Sequence, residues 1–124
     1  MRRSDRFISR LRDIQLYGER TKNTVRDRPL VDMEPVELDA LCYLVLIVSE
    51  ATIQALGLDE ELASRHPEIP WHEIRATGNR LRHGYATIDL QVVHQVVEKG
   101  HIDQLLELAR KELGRAGALD TGSG

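Results

Sequence analysis

The segment PVELDALCYLVLIVSEATIQAL, residues 35–56, decides the architecture. It opens on Pro35, and proline suits the first helical position because the N–H it lacks would have no intrahelical partner there. From Ala40 to Val48 every position is apolar. A helix that is apolar around its whole circumference must be enclosed by other elements. The unbroken run Leu41 to Val48 is far shorter than the roughly 18 residues needed to cross a bilayer, so no membrane span is expected.

Working outward toward the N-terminus, Phe7, Ile8, Leu11, Ile14, Tyr17 and Val25 recur close to the helical period after Ser4, a candidate N-cap. They predict a long amphipathic first helix with Gly18 at its middle, ended by Arg28-Pro29. Toward the C-terminus, Gly57 is the expected stop of the central helix. Asp59 to Arg65 has room for two turns, and His66-Pro67-Glu68-Ile69-Pro70 forces an extended turn, because residues before proline avoid the helical region.

Pro70 then opens a helix whose Trp71, Ile74, Gly78 and Leu81 share one core-facing stripe, while His72, Arg75, Asn79, Arg82 and His83 lie on its polar side. A left-handed cap at Gly84 is expected to end it. Thr87 is the expected cap of a helix over 88–98. Gly100-His101 interrupts the pattern before Ile102 to Leu113, and a flexible tail follows over 114–124. No strand-like alternation is present. The expected fold is all-α: an antiparallel bundle of four to five helices forming one domain over residues 1–113.

The 124 residues are 41% apolar and 30% charged, the balance of a globular domain that needs no disulfide or metal to fold. Cys42 is the single cysteine and lies inside the apolar run, so it has no disulfide partner in the chain. With no signal core at the start, this points to the cytoplasm. The net charge of −3 argues against indiscriminate binding to nucleic acid. It conceals a division: residues 1–28 carry nine Arg or Lys against four acids, and residues 29–124 carry eight against sixteen. Such segregation suits self-association or a partner that meets one face.

Chemistry concentrates in Arg75-Ala76-Thr77-Gly78-Asn79-Arg80-Leu81-Arg82-His83-Gly84-Tyr85. On a helix, Asn79 lies one turn below His83 and Arg80 lies beside it. Imidazole can move a proton near neutral pH, and guanidinium grips phosphate oxygens through a planar fork. An RNA phosphodiester can be cleaved without metal when one group deprotonates the 2′-hydroxyl, another protonates the leaving oxygen, and a cation stabilises the charged transition state.

The same residues have a structural reading, since Arg80, Arg82 and His83 also suit the negative end of a helix dipole. Glu50 follows the apolar centre of the second helix, and its expected mate is an arginine of this cluster. His94 is expected to pack, and His66, His72 and His101 to lie at the surface or cap element ends. No pair of histidines has metal-ligand spacing, so no metal is expected.

His66-Pro67-Glu68-Ile69-Pro70-Trp71, followed by Gly78-Asn79-Arg80-Leu81-Arg82-His83-Gly84-Tyr85 and Ile88-Asp89-Leu90, resembles the HepT-like family of HEPN-domain proteins. Ser49-Glu50-Ala51 is similar to that family's Gly-Glu-Ala on its second helix. The resemblance implies an all-α homodimer acting as the toxin of a two-gene module, with a minimal nucleotidyltransferase as antitoxin. It implies a metal-independent endoribonuclease that needs no cofactor and leaves a 2′,3′-cyclic phosphate at a cleft between protomers.

By position in the family motif, Asn79, His83 and Tyr85 match, and Gly78 stands where the family carries arginine. His83 is then the general acid or base, Asn79 the orienting amide, and Arg80 or Arg82 the phosphate clamp, with Arg75 and Glu50 in support. Tyr85 corresponds to the acceptor of AMP transferred by the nucleotidyltransferase. Because of Gly78, the alternative is a weakly active or non-catalytic module that serves as partner and AMP-transfer substrate.

Overall fold

The computed structural model describes residues 2–84 and 87–123, of which 118–123 by backbone only. The described residues form helices α1 (Arg3–Val25), α2 (Pro35–Leu58), α3 (Leu62–Arg65), α4 (Trp71–Gly84), α5 (Leu90–Glu98) and α6 (His101–Ser123), with a 3₁₀ turn at Leu30–Asp32. There is no strand among them. Six helices replace the four or five expected, the additional one being the four-residue α3.

α1 and α2 run antiparallel. Arg3 at the start of α1 donates to the carbonyls of Gly57 and Leu58 at the end of α2, and Arg28 just beyond α1 pairs with Glu37 in the first turn of α2. The Arg3 contact explains why Gly57 is not a stop: its carbonyl has a partner from a distant element, so α2 continues to Leu58 without a left-handed glycine. At the other end Pro35 takes the first helical position as expected, and the Glu34 N–H donates to Glu37 Oε1 at 2.9 Å.

By length and composition α2 could cross a membrane, with mean hydropathy 1.8 over its most apolar window, a broader apolar stretch than the Leu41 to Val48 run alone conveys. Half of that window is buried within the bundle. Leu41, Val45 and Val48 of α2 meet Leu11 and Ile14 of α1, Leu81 of α4, Val93 of α5, and Ile102, Leu105 and Leu108 of α6 in one core. α6 packs against α1 at Gly18, where an added Cβ would lie 2.8 Å from Leu106 Cδ2. Gly18 therefore leaves room for the Leu106 side chain inside an otherwise regular α1.

Four further element ends differ from expectation. Ser4 lies inside α1, which begins at Arg3. Gly84 is the last residue of α4 and has no left-handed φ. Its carbonyl accepts from Thr87 Oγ1 at 3.2 Å, so Thr87 closes α4 and does not cap the next helix. Asp89 caps α5 instead, accepting from Gln91 N at 2.9 Å. α6 runs past Leu113 through Gly114 and Gly117 to Ser123, since glycine costs a helix only about 1 kcal/mol and no proline follows to break it.

His66 is also placed differently. It is 5% exposed, with Nε2 2.7 Å from Glu112 Oε2 of α6. Glu112 also accepts from Arg65, and Arg65 pairs with Asp59. Burial pushes the Glu112 carboxyl up, but the hydrogen bonds from Arg65 and His66 outweigh it and hold the group below the ordinary carboxylate range. His94 packs as expected, buried with Nε2 2.9 Å from the Arg28 carbonyl and Nδ1 3.1 Å from Glu98 Oε2.

Candidate functional site

The polar face of α4 exists because the opposite face is committed to the core through Ile74, Thr77, Gly78 and Leu81. At about 100° per residue, Arg82, Arg75, Asn79, His83 and Arg80 follow one another around the remaining arc, from the α2 side to the α5 side. All five are exposed.

On the α2 side, Arg82 is engaged. Its Nε donates to Glu50 Oε1 at 2.8 Å, its Nη2 makes a shorter contact with the same oxygen, and its Nη1 donates to Asn79 Oδ1 at 3.2 Å. The arginine that meets Glu50 is therefore Arg82, and the pair is open to solvent at both ends. Arg82 is thereby a positioning group: it ties α4 to α2 and fixes the Asn79 amide with its oxygen toward Arg82, leaving the NH₂ free to donate outward.

On the α5 side, Arg80 and His83 line a shallow pocket of about 400 Å³ with Gly84, Thr87, Ile88 and Asp89. Neither makes a hydrogen bond or ion pair among the described residues. Of the two arginines offered as a phosphate clamp, Arg80 is the one that shares a pocket with His83. Thr87 and Asp89, which sequence reading did not assign to a site, form the far wall. The Asp-x-Gln spacing at Asp89 and Gln91 is the local capping signal that could have located that wall. Arg75 is exposed two turns before Arg82 and lines none of these surfaces. Tyr85 lies outside the described residues.

Gly78 is buried against α2. A Cβ added there would lie 2.9 Å from Ser49 Cβ, a contact between two atoms fixed to helix backbones. The absence of a side chain at 78 and the presence of one at 49 are thus two sides of one packing arrangement.

A separate pocket of about 430 Å³ lies beside His94, Arg28 and Asp103. Both His94 nitrogens are already engaged there, which leaves that imidazole no free atom for chemistry. Among the described residues, no three His, Cys, Asp or Glu side chains converge as a metal-ligand group.

Comparison with curated proteins and with solved structures gives no match. A family model described as Ribonuclease HepT-like matches residues 7–112, a span from the first turns of α1 to the middle of α6 that includes the whole α4 face. The chain belongs to the HepT-like ribonuclease family.

Proposed function

We propose that the chain is the toxin of a HEPN and minimal nucleotidyltransferase toxin–antitoxin module, cutting RNA without metal at a cleft between two protomers. The observation that carries this reading is the pairing in one solvent-open pocket of an imidazole, His83, and a guanidinium, Arg80, neither of them engaged among the described residues. His83 removes the proton of the ribose 2′-hydroxyl, or returns a proton to the leaving 5′-oxygen. The 2′-oxygen attacks phosphorus as the 5′-oxygen departs, leaving a 2′,3′-cyclic phosphate. Arg80 stabilises the charge on the phosphoryl oxygens, and the outward NH₂ of Asn79 orients the link. In a homodimer the second His83 supplies the opposite member of the acid–base pair.

In this reading Tyr85, one residue beyond α4, accepts AMP from the nucleotidyltransferase. The added phosphate and bulk then exclude RNA by repulsion and sterics. Incubation of the purified protein with RNA in excess EDTA tests the nuclease. Fragments ending in 2′,3′-cyclic phosphate are expected, and intact RNA beside an active control would dismiss it. A mass increase of AMP units on Tyr85, after mixing with the partner and ATP, tests the modification.

One observation favours a second reading, a weak or non-catalytic partner module. At the motif's arginine position, Gly78 is packed against Ser49 with no space for a Cβ. The missing guanidinium is worth on the order of a hundredfold in rate or more. Gly78→Arg alone would drive α4 from α2, so the informative variant is the double substitution Ser49→Gly with Gly78→Arg. RNA cleavage by a folded double variant, with none by the parent, selects the second reading.

A further inference from the structure

Arg80 lines two hollows at once. On one side is the pocket shared with His83. On the other is a groove of about 180 Å³ between α4 and α5, walled by Glu73, Thr77, Gln95, Lys99 and His101. The two hollows lie on the α5 side of α4 and share Arg80, so together they outline a track along that helix. The ten residue steps from 73 to 83 span about 15 Å of helix, enough for several stacked nucleotides at roughly 3.4 Å each.

The track is lined by two cations, Arg80 and Lys99, and two acids, Glu73 and Asp89. Arg80 and Lys99 are exposed and have no ion-pair partner among the described residues. The groove's one acid, Glu73, faces His101 at 3.8 Å. In the neighbouring pocket the Asp89 carboxylate is occupied in capping α5. Arg80 and Lys99 are thus the track's two cations without an ion-pair partner among the described residues, and the Thr77 hydroxyl and the Gln95 amide line the groove with them.

We propose that the α4–α5 groove is a binding subsite for the phosphodiester backbone flanking the cleaved link, with Lys99 holding a phosphate that Arg80 does not reach. This rests on the ribonuclease reading above. Arg80, shared by the groove and the His83 pocket, favours a nucleic-acid strand over an acidic protein segment, because a strand that enters the pocket must leave along one of its open sides.

The test is fluorescence anisotropy of the full chain with single-stranded 2′-O-methyl oligonucleotides from two to eight nucleotides, which bind but lack the free 2′-hydroxyl needed for cleavage. Affinity of the parent is expected to rise with length. Lys99→Ala should lose roughly fivefold for the octanucleotide and less for the dinucleotide, and flatten the salt dependence by about 0.7 in log–log slope. Lys99→Arg should restore both.

An octanucleotide affinity and salt slope unchanged in Lys99→Ala, with a parent that cleaves unmodified RNA, overturns the subsite alone. A parent that neither binds nor cleaves RNA overturns the ribonuclease reading and the subsite with it. If Lys99→Ala weakens polyglutamate binding but leaves the oligonucleotides unaffected, the groove belongs to an acidic protein segment and the proposal is wrong.

Discussion

At the scale of single residues, the face of α4 divides by engagement, and each part carries its own prediction. His83 is exposed and makes no hydrogen bond or ion pair among the described residues. His83→Ala should therefore change unfolding free energy by no more than about 0.5 kcal/mol while lowering RNA cleavage by roughly a hundredfold or more. Chemical denaturation and a cleavage assay on the same preparation check both halves. Gly78 is the opposite case, buried and without space. Gly78→Arg should destabilise by about 1–3 kcal/mol through overpacking, and Ser49→Gly in the same chain should recover part of that loss, read as the shift in the urea midpoint. The proximity of Asn79, Arg80, Arg82 and His83 was legible, because helical spacing dictates it. Which arginine is engaged was not, because Glu50 lies 32 residues before Arg82 and only tertiary packing chooses between guanidinium groups.

At the scale of elements, the sequence was most legible where periodicity is long. α1, α2 and α4 lie close to where their apolar stripes put them, and Pro35 starts α2 as its ring geometry requires. Ends were less legible, because side chains outside the helix settle them: Arg3, more than fifty residues away, on the α2 carbonyls, and Thr87, three residues on, at Gly84. His66 was misjudged for the same reason. It stands in a proline-rich turn that reads as surface, but α6 returns across it and covers it with Glu112. That cluster joins α3 to α6 through a carboxylate only 5% exposed. Glu112→Ala should cost about 2–4 kcal/mol, since His66 would be left buried without its acceptor and the partly buried Arg65 would keep Asp59 alone. Glu112→Gln should cost less, retaining one acceptor oxygen. Thermal unfolding of the two variants beside the parent measures the difference.

At the scale of the whole molecule, several carboxylates couple folding to pH in one direction. Glu37 is held at about 2, against an ordinary 4.5, first by the Arg28 hydrogen bond and then by the Glu34 backbone. Asp59, through Arg65, and Glu112 are lowered as well. Each group binds its proton more tightly in the unfolded chain, so its contribution is present at neutral pH and is lost as pH falls from about 4.5 toward 2. Glu37→Gln should make the loss of melting temperature across that interval shallower. The same scale holds the proposed homodimer. α2 leaves Val36 74% and Tyr43 54% exposed, with Ala40 also open between them. Positions 36, 40, 43, 47 and 50 repeat at intervals of four and three, the spacing of a helix–helix seam. The last of them is Glu50, the anchor of Arg82, so a twofold contact along this seam would bring the two α4 faces toward each other. Tyr43→Asp should then convert a dimer to a monomer in sedimentation velocity and, because the proposed cleft takes a His83 from each protomer, abolish activity in the same step. A monomeric variant that still cleaves RNA at the parental rate would mean that a single α4 face is a complete site, and a parent that sediments as a monomer would remove the shared cleft altogether.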